Sequence, residues 1–248
     1  MLLKKSLVIL CLSSTLLSTS CGAGAITPYN QTNNAAQEIN NPAYQVNLSS
    51  YVDNSIKIFY PQLSSMSDTT KQEKINDLIK YEALKILDLY VAQENFSADI
   101  NYDIKLCDSK SLSIVYSGVV HPNKTAYPLN AFYTTNLDLN AAEKIGLADF
   151  IDINNELVKQ IKEAKYVAWD SGLNSAEELV KKDINTYDLV EILKNSDNIN
   201  ERNSANAFSY FTDKALGISL GVTHAIGDHA EFEIDYSDLK DLLRNSPK

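Results

Sequence analysis

The N-terminal hydrophobic stretch constrains this chain most, because it decides which part folds and in which compartment. Lys4 and Lys5 form a basic region, residues 6–17 are apolar, and small residues follow. This order is typical of a secretory signal peptide. The stretch is too short to cross a bilayer, which takes roughly 20 apolar residues, and it lacks the polar face and cap of a buried core helix. The sequence therefore predicts that the rest of the chain folds after export.

Two cleavage sites are compatible with the residues that follow. Residues 17–22 (LSTSCG) resemble a bacterial lipobox, in which Cys21 is acylated and becomes the mature N-terminus. Residues 23–25 (AGA) fit ordinary signal peptidase, which would release a secreted soluble protein beginning at Ile26. We favour lipidation, and therefore expect a signal peptide over residues 1–20 and an extracytoplasmic, membrane-anchored lipoprotein.

The cysteines predict a fold that depends on its hydrophobic core. Cys11 leaves with the signal peptide and Cys21 carries the lipid, so Cys107 is the remaining thiol. We expect Cys107 to be a small buried hydrophobic residue without an intramolecular disulfide. About 220 mature residues are enough for one sizeable core or two modest ones.

The charge of the chain selects a class of partner. The formal net charge is −10, and removal of the two signal-peptide lysines takes it to about −12. This excess of acid disfavours nucleic acid and anionic lipid as partners and attracts a basic protein. We therefore expect a protein partner, no nucleic acid, and membrane contact only through the lipid.

Hydrophobic periodicity predicts an α+β fold with antiparallel sheets packed with helices. Residues 21–43 are polar and lack a hydrophobic period, so they are interpreted as a flexible tether. Strands and helices then follow without regular βαβ alternation, which favours two intimately associated α+β domains over residues 44–148 and 149–248. Alternating apolar residues predict strands near 44–48, 56–60, 100–106, 112–116, 133–139, 208–212, 216–222 and 231–236. Helical spacing predicts helices from 68 to before 95, through 157–168 and around 189–193.

Several short strings in this order resemble one family. They are IFYPQL at 58–63, QEKIN at 72–76, LSI at 112–114, NLDL at 136–139, IGLADF at 145–150, FTDKAL at 211–216, the loop 224–229, EFEI at 231–234 and YSDL at 236–239. The chain resembles the extracytoplasmic domain of RsiV-type anti-sigma factors, which also forms the N-terminal region of PdaC-type peptidoglycan deacetylases. In both, two domains of unknown function follow one another.

The resemblance implies protein recognition at the cell surface, with lysozyme as the specific expectation. Lysozyme is strongly basic, which agrees with the acidic mature chain. Only Met1 to Lys5 precede the hydrophobic stretch, so we do not expect the chain to control a sigma factor. It also ends at Lys248 without an added deacetylase domain. We expect a non-catalytic binding module rather than an enzyme, with no cofactor.

Residues 224–231 are the most chemically suggestive stretch. His224, Asp228, His229 and Glu231 bring two imidazoles and two carboxylates together. These groups are suitable zinc ligands, and His229 beside Asp228 could act as an oriented base. Residues five apart on a strand point to opposite faces, however, and a catalytic zinc commonly takes three protein ligands. We therefore predict no catalytic and no metal site here, and assign the four residues to a partner-binding surface.

Other interpretations stay open. An accessory peptidoglycan hydrolase or deacetylase centred on the same stretch is the alternative function, and a structural envelope protein is a third. His121 is interpreted as a loop residue. Trp169, the only tryptophan, is either a core anchor or an interface hot spot, and its sequence context does not decide between them.

The lipobox interpretation makes a direct prediction about the mature N-terminus. Mass spectrometry of the protein from bacterial membranes should show an acylated Cys21, and Cys21→Ala should leave no lipid-modified species. A mature chain that begins at Ile26 and carries no lipid would instead establish simple secretion.

Overall fold

A computed structural model of the protein describes residues 44–90, 96–122, 126–199 and 206–244. The predicted signal peptide, the tether and Cys21 lie outside the described residues. No helix within the described ranges is long and apolar enough to cross a membrane.

A six-stranded sheet forms the first half of the fold. The strands lie in sequential order, and a long helix, α1 (Thr69–Leu84), packs across them. Asp68 caps this helix by accepting a hydrogen bond from the Lys71 amide (2.9 Å), which confirms the predicted start. The strands are β1 (Gln45–Asp53), β2 (Ile56–Ser64), β3 (Ser97–Cys107), β4 (Ser111–His121), β5 (Leu129–Asp138) and β6 (Glu143–Lys144).

The pairing of β2 with β3 is the one departure from the predicted antiparallel pattern. Ile56–Ile58 run parallel to Ala98–Ile100, whereas the other neighbours in this sheet are antiparallel. Because α1 connects β2 to β3 as a crossover, β3 starts from the same end as β2. The α-helix also ends earlier than predicted, at Leu84, and a 3₁₀ helix continues over Lys85–Leu89.

Within the described residues, a four-stranded antiparallel sheet and four short α-helices form the second half, and the α+β class is thereby confirmed. The strand order is β7-β10-β9-β8. The strands are β7 (Lys165–Val167), β8 (Ala207–Phe211), β9 (Ala215–Gly221) and β10 (His229–Asp235), and the helices are α2 (Leu147–Phe150), α3 (Asn155–Glu163), α4 (Glu177–Ile184) and α5 (Leu189–Lys194).

Strand β7 corrects the prediction of a continuous helix through Ala168. The helix α3 ends at Glu163, and Lys165–Val167 pair with Glu231–Glu233 of β10. Local helical spacing cannot reveal this change, because the partner strand lies more than sixty residues further along the chain.

Two hydrophobic clusters fill the fold. In the first, Ile75 and Ile79 of α1 are buried against β-strand residues such as Ile58 and Ile114. In the second, α3 to α5 cover one face of the four-stranded sheet. Phe208 of β8 belongs to the first cluster, so the second half contributes directly to the core of the first.

Cys107 differs from its prediction as a buried lone thiol. It is half-buried at the end of β3, where the Tyr44 hydroxyl lies 3.3 Å from its sulfur, and it takes part in a disulfide. The partner cysteine lies outside the described residues.

A buried carboxylate joins the two halves. Asp197, which precedes β8, accepts hydrogen bonds from the backbone amides of Leu147 (2.7 Å) and Ser209 (2.6 Å) and from the Ser209 hydroxyl (2.9 Å). Lys144 donates both to the Asp197 carbonyl (2.7 Å) and to Glu82 of α1 (2.6 Å). The ends of β6, α2 and β8 are therefore held at one point.

The same junction extends through uncharged groups. Ser113 of β4 donates its hydroxyl to Asn136 of β5 (2.7 Å), and Asn136 donates to the Ser209 carbonyl (2.9 Å). The Phe211 amide donates to the Ser113 hydroxyl (2.9 Å). Because these atoms are buried, removal of one partner leaves another unsatisfied, at a cost of about 1–3 kcal/mol.

Replacement of Asp197 tests this junction. Asp197→Ala should lower the free energy of unfolding by about 3 kcal/mol or more, because it leaves the buried Leu147 and Ser209 donors without an acceptor. Asp197→Asn should cost less, since asparagine keeps an acceptor and tolerates the left-handed backbone (φ 60°). Urea unfolding of both variants measures these differences, and wild-type stability for Asp197→Ala would contradict the assignment.

The Asp197→Asn variant should also differ from wild type in the pH dependence of its stability. Burial raises the pKa of Asp197 above its ordinary value of 3.8. The hydrogen bonds from Ser209 and Leu147 lower it by less. The folded state therefore binds the proton more tightly, and this group's contribution to stability falls as pH rises from about 4 through the folded pKa. The stability of Asp197→Asn relative to wild type should accordingly improve between pH 4 and pH 7. An identical pH profile for both proteins would contradict this.

Candidate functional site

The segment from His224 to Glu231 connects β9 to β10 through a tight turn. His224–Ile226 form one turn of 3₁₀ helix, and Gly227 (φ 113°) and Asp228 (φ 70°) follow in left-handed conformations. Glycine adopts such a conformation without steric cost. The turn lies at the end of the four-stranded sheet beside the start of β5, so it joins the two halves of the fold.

His224 and Asp228 form the outer part of the site. The His224 Nδ1 lies 2.9 Å and 3.0 Å from the two carboxylate oxygens of Asp228. The Asp228 Oδ2 also accepts from the backbone amide (2.8 Å) and side-chain amide (3.2 Å) of Asn130. The His224 side chain is half exposed, whereas that of Asp228 is only 14 % exposed. Asn130 thus fixes the carboxylate, and the histidine faces solvent.

His229 and Glu231 form a separate, buried part. They are 6 % and 4 % exposed on the face of β10 that is turned toward the six-stranded sheet. The His229 Nδ1 lies 2.7 Å from Glu231 Oε1, which also accepts from the Ser219 hydroxyl (3.0 Å). Glu231 Oε2 has no hydrogen-bond partner among the described residues. A residue buried in this way cannot contact a partner without movement of its surroundings.

The structure thus divides the four predicted residues into two pairs. His224 and Asp228 lie at the surface, and His229 and Glu231 lie beneath it. Within the described ranges no group of three or more histidine, cysteine, aspartate or glutamate side chains could hold a metal ion. His121, which was predicted in a loop, is instead the exposed last residue of β4.

Aromatic rings complete the surface. The Trp169 ring stacks on His229, with centroids 5.2 Å apart, and Tyr127 lies parallel to His224 at 6.2 Å. Trp169 is 43 % exposed and Tyr127 is 68 % exposed. We call the four residues Tyr127, Trp169, His224 and Asp228 the aromatic rim. The exposure of Trp169 excludes a fully buried core anchor, since the ring covers His229 and still faces solvent.

Sequence reasoning missed Tyr127, Asn130 and Ser219 as parts of this site. Asn130 lies 98 residues from Asp228 along the chain. Tyr127 precedes Pro128 in a connection whose local pattern indicates only a loop. Their roles come from the contact between the two sheets, for which neither periodicity nor motif spacing gives a signal.

The buried charges of β10 affect a neighbouring tyrosine. The Tyr210 hydroxyl on β8 donates to Glu233 (3.2 Å). Burial raises the pKa of Tyr210 well above 10, and the negative charges of Glu233 and Glu231 raise it further. This tyrosine is therefore a neutral hydrogen-bond donor at physiological pH.

The α+β fold is similar to two solved structures of the DUF3298 family, a domain of unknown function. A member from Bacteroides fragilis aligns with a TM-score of 0.55 and 12 % identity, over 84 % of this chain and 96 % of that chain. A member from Pseudomonas aeruginosa aligns with a TM-score of 0.50 and 12 % identity, over 84 % of this chain and 99 % of that one. Such low identity shows a shared fold and nothing finer.

No protein-family profile and no curated protein matches the sequence. The structural similarity agrees with the expected domains of unknown function. The finer likeness to RsiV-type and PdaC-type proteins is not confirmed by these comparisons and stays a prediction.

The turn at Gly227 provides a test of the rim geometry. A Cβ atom at this position would lie 2.9 Å from Leu173 Cδ1 and 3.1 Å from Trp169 Nε1, on a backbone with φ 113°. Gly227→Ala should therefore lower the free energy of unfolding by about 1–3 kcal/mol and change Trp169 fluorescence. Gly146→Ala is the matched control, since its nearest contact is 3.5 Å and its φ is −95°. Equal effects in both variants would contradict the assigned strain.

Proposed function

We propose that this protein is an exported, lipid-anchored, non-catalytic binding module that recognises a basic protein at the cell surface. The aromatic rim is the observation that carries the proposal. Exposed tyrosine and tryptophan are enriched at binding hot spots, because they bury a large apolar area and still offer polar atoms. Here two such rings lie beside an imidazole and a carboxylate.

The rigidity of the rim supports the same function. Asn130 holds Asp228 through two hydrogen bonds, and His229 supports the Trp169 ring from below. A surface that is already ordered before binding loses little conformational entropy on association, which favours affinity. The rim residues come from both halves of the fold, so their arrangement depends on the packing of the two sheets.

Net charge supports a basic partner. The chain carries a formal charge of −10, and about −12 after signal removal. Such a field accelerates encounter with a cationic protein and weakens with salt, because charges are screened over about 8 to 10 Å at physiological ionic strength. Lysozyme is the specific candidate, since it is basic and the resemblance to RsiV-type proteins implies it.

A pull-down with lysozyme tests the proposal. The purified mature domain should retain lysozyme at low salt and less of it at high salt. Tyr127→Ala and Trp169→Ala should each weaken binding by at least about tenfold, because each removes one exposed ring of the rim. Calorimetric titration measures the affinities.

Tyr81→Ala is the control. Tyr81 lies on α1 and is 59 % exposed, so its replacement removes a comparable exposed ring outside the rim and should leave the affinity unchanged. Thermal unfolding of each variant checks that the fold is intact. Absence of lysozyme binding at both salt concentrations would exclude this partner, and rim variants that bind like wild type would exclude this surface.

A further inference from the structure

A cavity of about 170 Å³ lies between the two sheets, directly beside the aromatic rim. The 3₁₀ helix after α1 and strand β5 form one side of it. The end of β9 and the turn before β10 form the other. Its volume is close to that of a 150 Å³ cavity, which accommodates a benzene-sized molecule.

The lining of the cavity combines apolar and polar side chains. Ile86, Leu129 and Phe208 supply apolar surface. Asn130, Asp228 and His229 supply polar groups. Small-molecule sites commonly combine an apolar lining with a few placed polar groups, which orient the ligand. This cavity therefore suits a ligand with a polar head and a short apolar stem.

The polar groups of the lining favour a positive charge. Asp228 lies in the cavity wall, and Glu231 is hydrogen-bonded to two other wall residues, His229 and Ser219. Within the described part of the chain, both carboxylates form ion pairs only with histidine, and the cavity wall includes no lysine or arginine. Glu231 Oε2 also has no hydrogen-bond partner there. Two carboxylates in a partly buried environment attract a cation more strongly than in water.

We propose that the cavity binds a cationic group on a short apolar stem: an amine, amidine or guanidinium. The stem packs between Ile86, Leu129 and Phe208, and the cationic head donates hydrogen bonds to Asp228. Free small amines and the lysine or arginine side chains of a protein partner share this chemistry. The proposal does not require the rim to bind a protein, so its test and that of the protein partner can fail independently.

Benzamidine is the probe, and benzamide is its neutral counterpart of nearly equal shape. Trp169 is the only tryptophan and stacks on His229 in the cavity wall, so its fluorescence reports binding. Benzamidine should change the fluorescence saturably and bind at least about tenfold more tightly than benzamide. Calorimetry provides an independent affinity. Equal affinities for the two compounds, or no binding of benzamidine, would overturn the proposal.

Asp228→Asn tests the charge directly. Asparagine keeps an acceptor for Asn130 and tolerates the left-handed backbone, but it removes the negative charge. Benzamidine affinity should fall at least about tenfold, whereas benzamide affinity should not change. Asp213→Asn, an exposed position in the turn between β8 and β9, removes the same charge outside the cavity and should have no effect. Unchanged benzamidine affinity in Asp228→Asn would overturn the proposal.

A second variant keeps the test valid if Asp228→Asn does not fold. Ala131 lines the cavity, and Ala131→Leu should fill part of it and abolish binding of both probes. Retained benzamidine binding in a folded Ala131→Leu protein would overturn the site. Competition then identifies the source of the ligand: displacement of benzamidine by lysozyme indicates a partner side chain, and simultaneous binding indicates a free small amine.

Discussion

The buried carboxylate of Asp197 is the interaction on which the arrangement of the two halves depends. A carboxylate away from water is costly unless hydrogen bonds compensate it. Asp197 obtains them from the start of α2 and from β8, while Lys144 binds its carbonyl and Glu82 of α1. These partners come from distant parts of the chain. The junction therefore fixes the relative orientation of the two halves more specifically than hydrophobic packing alone would.

The site follows from that contact. Once β8 lies against the six-stranded sheet, Phe208 enters the first hydrophobic cluster, and the ring centroids of Phe132 on β5 and His229 lie 5.1 Å apart. Asn130 at the start of β5 then meets Asp228, and Tyr127 meets His224. The cavity is the space left between the same two layers, with apolar residues mainly from one and polar residues mainly from the other. Rim and cavity are thus both products of sheet packing.

The chemistry of residues 224–231 shows how far local reasoning extends. Their types indicated a concentration of ionisable groups. The spacing argument placed the two histidines on one strand, but His224 lies in a 3₁₀ turn before β10. It did not show that His229 and Glu231 are buried while His224 is half exposed. That difference arises because His229 and Glu231 face the six-stranded sheet, whereas His224 lies in the turn beyond the strand end. The burial of a strand residue depends on which element packs against that face, and the strand's own sequence does not specify that element.

The sequence by itself determined the α+β class, most strands and the start of α1, because period-two and helical spacing and an N-cap are local properties. It also determined the acidic charge, which is a sum over residues. The tertiary structure alone decided the parallel pairing of β2 with β3, the strand β7 and the contact of Asn130 with Asp228. Each of these joins segments far apart in the chain, and their energies exist only after the layers have packed.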